Sequence, residues 1–561
     1  MGNIAKQLLR PLAYLAGLHA SGQVTAFLRA HDRTREHQEQ VLRRLVRLHT
    51  DTAFGRDHGF DKIRTVADFR RAVPVASYER FGPYIQRVLS GETTALLPPG
   101  HDVLMFSMTS GTTGRPKYIP VTRQFAGELR RGWNVFGVKV LQDHPRAWMR
   151  HILQISSPMR EFDSPTNLPC GAVSGLLAVT QKRIVRRFYV VPPEVSSIAD
   201  PASRYYTALR CGVGRDVALI TTANPSSTIK LIETGQQYAQ RLIRDVRDGT
   251  LTPPSPIDKR IADMIHLRPS PLIARRMEEG IARNGRLLPR HFWDIEFLTN
   301  WTGGTLHLYL RRLKELFPGV PIRDIGLLAS EGRFSVPLTD DSPAGVAEIC
   351  GNFLEFIPTS EHGRDNPPTL LAHELEVGQE YYLVFSNYSG LMRYNMDDCI
   401  RVVGRYGQSP VIEFLHRGKH TASITGEKLT EHQVVEAMRL AGTARIPGNA
   451  NLPIGANVTG LDIDRFTLQG HFAAVPYYLL SVEAGTDGHA SRLAQSLDEQ
   501  LMKLNGEYHG KRTSGRLGPI RPRLLPPGSL DHAEREKLRH RGRPEQYKHQ
   551  YLVTEVVEDT P

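Results

Sequence analysis

Short apolar runs that alternate with stretches of helical periodicity restrict the fold of this chain more than any other sequence feature. Residues 124–141 and 227–246 repeat apolar side chains at helical spacing, so each is predicted to form one helix. Strands and helices that alternate along a chain are typical of α/β architecture. The strands predicted from the apolar runs are 101–108, Val217–Thr221, 325–329, 353–357, 381–385, 411–415 and 477–482.

Length and charge leave several functions open. The chain has 561 residues, and domains usually hold roughly 100–200 residues, so we expect more than one domain. Lysine and arginine (71) outnumber aspartate and glutamate (58), which gives a formal net charge of +13. This excess suits a protein that binds nucleic acid, nucleotides or carboxylic acids, and it does not choose among them. We interpret the basic stretch 511–548 as a solvated loop and helix face.

The cysteines indicate a reducing environment. Cys170, Cys211, Cys350 and Cys399 lie far apart and form no Cys-x-x-Cys pair. A disulfide framework and a thiolate zinc site are therefore not expected, and we predict a cytoplasmic location.

Membrane and secretion signals are weak in this sequence. No apolar run reaches the roughly 18 residues that a membrane-spanning helix needs, so no membrane partner is expected. We interpret the first twenty residues as an amphipathic helix rather than a signal peptide. Glycosylation sequons begin at Asn300 and Asn387, and they have no meaning in a cytoplasmic chain.

A boundary between two domains is predicted near residue 416. The predicted strand 411–415 is followed by Arg417-Gly418-Lys419, where glycine permits a change of chain direction. The sequence after this point is long enough for one small domain. We therefore predict a large domain over 1–416 and a small mobile domain over 417–561.

The segment 107–117 carries the strongest chemical signal. It reads Ser-Met-Thr-Ser-Gly-Thr-Thr-Gly-Arg-Pro-Lys, directly after a predicted strand. Glycines let backbone N–H groups approach an anion, while hydroxyls and a lysine add donors and charge. The spacing matches neither a Walker A loop nor a Gly-x-Gly-x-x-Gly fingerprint. The segment is therefore interpreted as another kind of phosphate-binding loop, with a flexible turn as the alternative.

The order of this loop and four later motifs resembles the Gretchen Hagen 3 family of acyl-acid amido synthetases, within the adenylate-forming superfamily. The later motifs are Leu-Ala-Ser-Glu-Gly at 328–332, Arg-Tyr-Asn-Met-Asp-Asp at 393–398, Thr-Gly-Glu-Lys-Leu-Thr-Glu at 425–431 and Glu-Gln-Tyr-Lys at 545–548. The resemblance covers about positions 5 to 550. It implies a large, multi-layer α/β domain with mixed sheets and a smaller α/β domain that closes over it.

The resemblance implies an ATP site in the large domain. The residues expected to hold the phosphates are Thr109, Ser110, Gly111, Thr112, Thr113 and Lys117, with a surface position as the alternative for Lys117. Ser330 is expected near the nucleotide, and Glu331 is expected to help hold Mg²⁺, a cation that prefers oxygen ligands. The alternative for Glu331 is an ion pair with Arg333.

The ribose-binding carboxylate is assigned to Asp398 by its place in the motif. A glycine usually precedes this aspartate in the family, and Asp397 stands there instead, so Asp397 is the alternative. Leu327 and Leu328 replace an aromatic residue of the family, so aliphatic contact with adenine is expected.

Three basic residues beyond 416 complete the implied site. Arg417 resembles the hinge arginine that contacts ribose, with a plain linker charge as the alternative. Lys428 and Lys548 are the two candidates for a mobile catalytic lysine. Lys548 resembles the late-chain lysine that acts in adenylation and is favoured for that step, and Lys428 is placed near the nucleotide. A compact ammonium on a flexible stem suits a charge that must reach the α-phosphate.

The function implied is ATP-dependent adenylation of a carboxylic acid, followed by transfer of the acyl group to an amine, an amino acid being favoured. The alternatives are a thiol acceptor such as coenzyme A, and a nucleotide- or nucleic-acid-binding protein without catalysis. We expect a monomer and no nucleic-acid partner. Trp133 and Phe136, with Arg130 and Arg131, either line an acid pocket or are ordinary packing and surface residues.

Overall fold

The computed structural model describes residues 21–109, 117–418, 421–422, 424–425, 427, 429–443, 465–473, 475–483, 487–513, 517–533, 536 and 549–558. The described residues fall into two compact units. The large unit extends to Phe414 without 307–309, and the small unit contains 307–309 and the chain from Leu415. This division rests on contacts between residues. The domain boundary at 416 and the mobility of the small domain therefore stay predictions.

A four-stranded parallel sheet lies in the large unit. Its strands, in spatial order, are His151–Gln154, Val217–Thr221, Phe297–Asn300 and Ile322–Asp324. Parallel strands need crossover connections, and helices from the intervening sequence supply them. The carboxyl ends of these strands meet at one edge of the sheet, where ligands commonly bind in α/β folds.

A second, mixed sheet carries the end of the predicted phosphate loop. Its strands, in spatial order, are Lys117–Thr122, Val103–Thr109, Pro169–Gly171 and Phe162–Asp163. Val103–Thr109 pairs parallel with Pro169–Gly171 through Phe106 and Ser107. The residues that follow both strands therefore leave the sheet on the same side.

A seven-stranded sheet completes the large unit. Its strands, in spatial order, are Ser335–Val336, Gly345–Ala347, Ser409–Arg417, Tyr394–Tyr406, Glu380–Ser386, Phe353–Pro358 and Leu370–Leu371. A separate hairpin pairs Leu328–Ala329 with Gly332–Arg333. Buried side chains of this sheet and of the N-terminal helices form one extensive apolar core, which includes Phe69, Phe353 and Tyr394.

The large unit also contains many helices. Residues 21–30 are helical, and the α-helices that follow are Thr34–His49, Ala53–Asp57, Val66–Ala72, Tyr78–Leu89, Arg123–Asp143, Val173–Val179, Arg183–Arg186, Pro201–Gly212, Pro225–Gln237, Ala239–Asp248, Lys259–Met264, Pro271–Asn284 and Leu310–Leu316. No helix among the described residues is long and apolar enough to cross a membrane.

Two predicted elements differ from the structure. The stretch 227–246 contains two helices rather than one, because Tyr238 leaves helical geometry where its ring packs edge-on against Tyr206. The predicted strand 325–329 is interrupted at Gly326, whose φ of +84° breaks an extended strand. The carboxylate of Asp324 accepts the N–H of Gly326, which fixes that turn.

The small unit has its own core. Helices Glu431–Thr443, Asp487–Leu504 and Gly506–Thr513 accompany a sheet with the strand order Arg521–Leu525, Tyr477–Glu483, Phe466–Phe472 and Leu552–Glu558. A two-stranded sheet pairs Thr421–Ala422 with Leu429–Thr430. Tyr478, Leu480 and Leu497 are among the buried side chains of this core.

Candidate functional site

Lys117 brings two separate parts of the sequence together. It begins the strand Lys117–Thr122, directly after the predicted phosphate loop. Its Nζ lies 3.4 Å from the Oη of Tyr394, in the third predicted motif. The same ammonium lies 5.2 Å from the ring centre of Tyr78, a distance typical of a cation–π contact. The structure therefore places this lysine in an aromatic, half-buried setting rather than at a free surface.

The predicted metal ligand Glu331 lies close to this cluster. It is buried, with 3% of its surface exposed, in the turn between Leu328–Ala329 and Gly332–Arg333. Burial raises the pKa of Tyr78 to about 12, and the charge of Glu331 acts in the same direction. Asn387 holds the turn, because its Nδ2 donates to the backbone oxygen of Glu331 at 2.6 Å. Ser330 lies in the same turn.

Glu331 provides a single oxygen-donor side chain for a cation. Among the described residues no cluster of three or more histidine, cysteine, aspartate or glutamate side chains could hold a metal ion. A buried carboxylate suits Mg²⁺ where phosphate oxygens supply further ligands, since this ion is rarely held by an all-protein cage.

Arg333 contacts the helix Arg123–Asp143 rather than Glu331. Its Nη1 donates to the backbone oxygens of Ile325 and Ser335, and its guanidinium lies 4.4 Å from the ring of Trp133. Burial lowers the pKa of Arg333 to about 10. Gly132 makes room for it, because a Cβ there would lie 2.7 Å from the Cδ of Arg333. The alternative ion pair between Glu331 and Arg333 does not form in the part of the chain that the structure describes.

The two neighbouring aspartates have different surroundings. Asp397 adopts a φ of +62°, a region that glycine occupies freely and aspartate tolerates. Its carboxylate accepts from His362 Nε2 at 3.1 Å and Asn395 Nδ2 at 3.3 Å. Asp398 is buried, with 2% of its surface exposed. The left-handed backbone explains why a glycine suits the first position of the pair.

The predicted site includes residues beyond the part of the chain that the structure describes. Ser110, Gly111, Thr112, Thr113, Lys428 and Lys548 lie outside the described residues. Thr109 ends the strand Val103–Thr109 and Arg417 ends Ser409–Arg417, but their side chains are also outside the description. Their roles stay predictions.

Described residues organise the chain directly before Lys428. The carboxylate of Glu427 accepts the N–H groups of Ile424 and Thr425, each at 2.8 Å, and the hydroxyl of Tyr478. These hydrogen bonds hold the pKa of Glu427 below its usual range against the opposing effect of burial. Asn505 donates to the backbone oxygen of Glu427 at 3.0 Å. The motif glutamate is therefore a structural anchor.

A large cavity lies within the large unit. It has a volume of about 1840 Å³, well above the roughly 300–1,000 Å³ of common ligand pockets. The helix Arg123–Asp143 forms one wall with Arg130, Trp133 and Phe136, and the parallel sheet contributes another. Arg131 is not among the lining residues and pairs with Glu128 on its own helix. We call this space the sheet cavity.

Two residues of the site were missed in the sequence. Tyr78 lies far from the recognised motifs along the chain, and no local pattern marks it. Asn387 falls within a glycosylation sequon, yet it is 1% exposed and supports Glu331. An asparagine within an apolar run is a signal for a buried polar role, because buried amides need partners.

Comparison with solved structures concerns the fold. The GH3.15 acyl acid amido synthetase matches with a TM-score of 0.80 at 20% identity, over 95% of this chain and 94% of that one. A 2-hydroxyisobutyryl-CoA ligase matches with a TM-score of 0.50 at 13% identity, over 93% and 89% of the chains. These matches confirm the predicted α/β fold class of adenylate-forming enzymes.

Relatives and family models extend over most of the chain. A jasmonoyl–L-amino acid synthetase of Nicotiana attenuata, JAR6, is 23% identical over 519 residues, 88% of this chain and 87% of the relative. An indole-3-acetic acid-amido synthetase of Oryza sativa subsp. indica, GH3.8, is 25% identical over 523 residues, 88% of this chain and 84% of the relative. Models of the GH3 family N-terminal, central and C-terminal domains match residues 23–322, 346–417 and 454–556. The chain therefore belongs to the GH3 family, which is the Gretchen Hagen 3 family that its motifs predicted.

Proposed function

We propose that this chain is an acyl-acid amido synthetase that uses ATP to join a carboxylic acid to an amino acid. The observation that carries the proposal is the meeting of three motifs around Lys117, Tyr394 and Glu331. They place a cation, aromatic rings and a buried carboxylate where the predicted phosphate loop ends. The names of the relatives support an amine acceptor rather than a thiol.

The first reaction is adenylation. A carboxylate oxygen of the acid attacks the α-phosphorus of ATP, and the bond from that phosphorus to the bridging oxygen of pyrophosphate breaks. The acyl-adenylate and pyrophosphate are the products. Lys117 and Lys548 supply positive charge to the phosphates, and Lys548 is assigned to the α-phosphate as pyrophosphate leaves. Residues 109–113 supply N–H and hydroxyl donors.

Mg²⁺ is proposed as the cation of this step, with Glu331 as its protein ligand. When bound, the ion neutralises phosphate charge. Asn387 orients the turn that carries Glu331. Asp398 is proposed to bind the ribose hydroxyls because of its place in the third motif. Arg417 and Lys428 are proposed to contact the nucleotide, and Ser330 to lie beside it.

The second reaction is amide formation. The neutral amine of the amino acid attacks the acyl carbonyl carbon, the bond to AMP breaks, and the amine loses a proton. AMP leaves more readily than the oxygen of a free acid, so adenylation makes this attack possible. We propose that the small domain, 417–561, moves between the two reactions, as conformational steps often separate half-reactions. We also propose that the protein is a monomer, that it is located in the cytoplasm and that it has no nucleic-acid partner.

Isotope exchange tests the adenylation step. Labelled pyrophosphate is mixed with the enzyme, Mg²⁺ and ATP, with and without each member of a broad panel of acids. We expect label to enter ATP only when an accepted acid is present. If none of the acids in the panel supports exchange, both the amide ligase and the thioester ligase are refuted.

Product mass spectrometry then identifies the acceptor. The enzyme is supplied with an accepted acid and either a mixture of amino acids or coenzyme A. An acyl-amino acid is the expected product. An acyl-coenzyme A product would instead support the thiol alternative.

A further inference from the structure

The parallel sheet presents two layers of side chains to the sheet cavity. Leu219 lies opposite Phe297 in the strand register, with Ile152 on the other side, and all three line the cavity. Two residues nearer the carboxyl end, Thr221 lies opposite Thr299 in the same way. Alternate residues of a strand share a face, so the layers follow from strand geometry.

The second layer is polar. Gln154 lies opposite Thr221 and completes it, and Thr299 Oγ1 donates to Thr221 Oγ1 at 2.9 Å. Ser156, which follows the strand His151–Gln154, also lines the cavity. The cavity is therefore polar near the carboxyl ends of the strands and apolar about 7 Å further back, at ~3.3 Å per residue.

The polar end of the cavity lies beside the helix Val173–Val179, which follows the strand Pro169–Gly171. Ser174 and Leu177 of the helix Val173–Val179 line the cavity. This helix follows the strand Pro169–Gly171, which pairs parallel with Val103–Thr109, the strand that leads into the predicted phosphate loop. A Cβ on Gly175 of this helix would lie 2.6 Å from the backbone oxygen of Ser157, just beyond the strand His151–Gln154. A carboxylate at the polar end would therefore be next to a helix whose preceding strand pairs with the strand that enters the loop.

The cavity continues well beyond the first apolar layer. Its lining extends past the amino ends of the strands, to Ala147, Trp148 and Gly214, and there it also includes the ion pair of Arg150 with Asp216. The strand Val217–Thr221 alone has five residues, which corresponds to ~16 Å of length. An extended alkyl chain of about twelve carbons reaches ~14 Å, because tetrahedral bond angles reduce each ~1.5 Å C–C bond to ~1.3 Å of length along the chain. Small acids would leave most of this space unfilled.

The rim of the cavity combines exposed apolar and basic side chains. Ile184, with 66% of its surface exposed, and Val185 line it together with Lys182, Arg183 and Arg187. An exposed apolar side chain at a cavity rim is typical of a ligand entrance, and basic neighbours attract an anion. This rim suits a molecule with an apolar body and one negative charge.

We propose that the acid substrate is an elongated, apolar monocarboxylic acid, with its carboxylate at the Gln154–Thr221–Thr299 layer and its tail along the sheet cavity. This inference rests on the proposed function, because the bound acid is a substrate only if its carboxylate is adenylated. Each methylene buried in the tail region should increase affinity about three- to fourfold.

A homologous series of acids tests this proposal in the full-length protein. Straight-chain acids from butanoate to laurate are titrated by calorimetry without nucleotide, and the same acids are used in pyrophosphate exchange. We expect the dissociation constant and KM to fall progressively with chain length. Values that are flat along the series, or that rise with length, would overturn the proposal.

Gly137 offers a variant that fills the tail region. It lines the cavity on the helix Arg123–Asp143, and a Cβ there would meet no atom within 4 Å. Gly137→Leu should reduce the ratio of laurate affinity to butanoate affinity by about tenfold or more, because its side chain replaces several methylenes of the ligand. The matched control is Gly127→Leu on the same helix. A Cβ there also meets no atom within 4 Å, and Gly127 does not line the cavity. Equal effects of the two variants on this ratio would contradict the proposal.

The two readouts separate this inference from the proposed function. Exchange with short acids and no dependence on length would leave the ligase standing and overturn the long-chain substrate. Binding that strengthens with chain length and weakens in Gly137→Leu, without exchange for any acid, would support the cavity assignment and refute the ligase.

Discussion

The carboxylate of Glu431 accepts a hydrogen bond from the backbone N–H of Tyr551 at 2.7 Å. The same Oε1 accepts from the N–H of Leu552 at 3.3 Å, where the strand Leu552–Glu558 begins. In the sequence, Lys428 precedes Glu431 and Lys548 precedes Tyr551, each by three positions. One side chain thus joins the two segments that lead away from the proposed catalytic lysines.

Replacing Glu431 by alanine should destabilise the small unit. Two buried N–H groups would lose their acceptor, which costs about 2 kcal/mol or more in the free energy of unfolding. Glu431→Gln keeps an oxygen at this position and should lose less. Urea denaturation measures both, and pyrophosphate exchange should decline in the same order. Equal losses in the two variants would show that the hydrogen bonds contribute little.

Lys548→Ala should slow adenylation far more than it weakens ATP binding. Loss of one preorganised charge at the α-phosphate reduces the rate by about a hundredfold or more. The exchange rate at saturating ATP and the KM for ATP are measured, with Lys503→Ala, an exposed lysine of the helix Asp487–Leu504, as the control. Equal losses in rate and ATP affinity would indicate a binding role for Lys548 or a misfolded protein.

Asp398→Asn should raise the KM for ATP about ten- to a hundredfold. The ribose hydroxyls would lose hydrogen bonds to a charged acceptor, worth about 1.5–3 kcal/mol. Asp397→Gly is the matched variant, because glycine also adopts the left-handed backbone found there. It should leave the KM for ATP nearly unchanged. The opposite pattern would transfer the ribose role to Asp397.

Acid should destabilise the large unit through His49. Burial lowers the pKa of this histidine from 6.5 to about 4. The pKa in the folded protein is below that in the unfolded chain, so the stabilising contribution is complete above pH 6.5 and is lost as the pH falls towards 4. The slope in this range is about 1.4 kcal/mol per pH unit.

The variant His49→Gln tests this linkage, because glutamine does not titrate. Urea denaturation at intervals across the range should give a shallower pH dependence for the variant than for the wild type. Part of the slope should remain, since His31 has a pKa lowered to about 4 in the same way. An unchanged slope would exclude His49 as a contributor.

Gly132→Ala should lower the stability of the large unit by about 1–3 kcal/mol, because its methyl group would collide with Arg333. Gly127→Ala on the same helix meets open space and should be stabilising by up to ~1 kcal/mol through helix propensity. Thermal unfolding of both variants measures the difference. A stabilising effect at both positions would show that Arg333 moves aside freely.

Local patterns predicted the regular elements more successfully than the site. The strand Val217–Thr221 and the core of the helix Arg123–Asp143 follow from runs and periodicity within one short segment. The helix break at Tyr238 is a departure of one residue from helical dihedral angles, with φ of −108° and ψ of 29°. A single non-helical residue does not disturb an apolar period, so no local pattern could show it.

The motif order predicted which segments form the site, and not how their side chains meet. The neighbours of Lys117 come from a helix and a strand that are distant in the sequence. The closeness of Arg333 and Glu331 in the sequence suggests an ion pair as one alternative, yet the partners of Arg333 are backbone oxygens and Trp133. Such pairings depend on tertiary packing, which one sequence without homologues does not reveal.

The stacking of Arg333 on Trp133 has a thermodynamic consequence. Arg333 belongs to the hairpin that carries Glu331, and Trp133 is part of the wall of the sheet cavity. A ligand that displaces Trp133 changes the environment of that guanidinium and so the free energy of the hairpin. Binding free energies are reciprocal, so whatever factor the acid applies to ATP affinity, ATP applies to acid affinity. One order of substrate binding can therefore be preferred over the other, while the free energy of the ternary complex is the same by both orders.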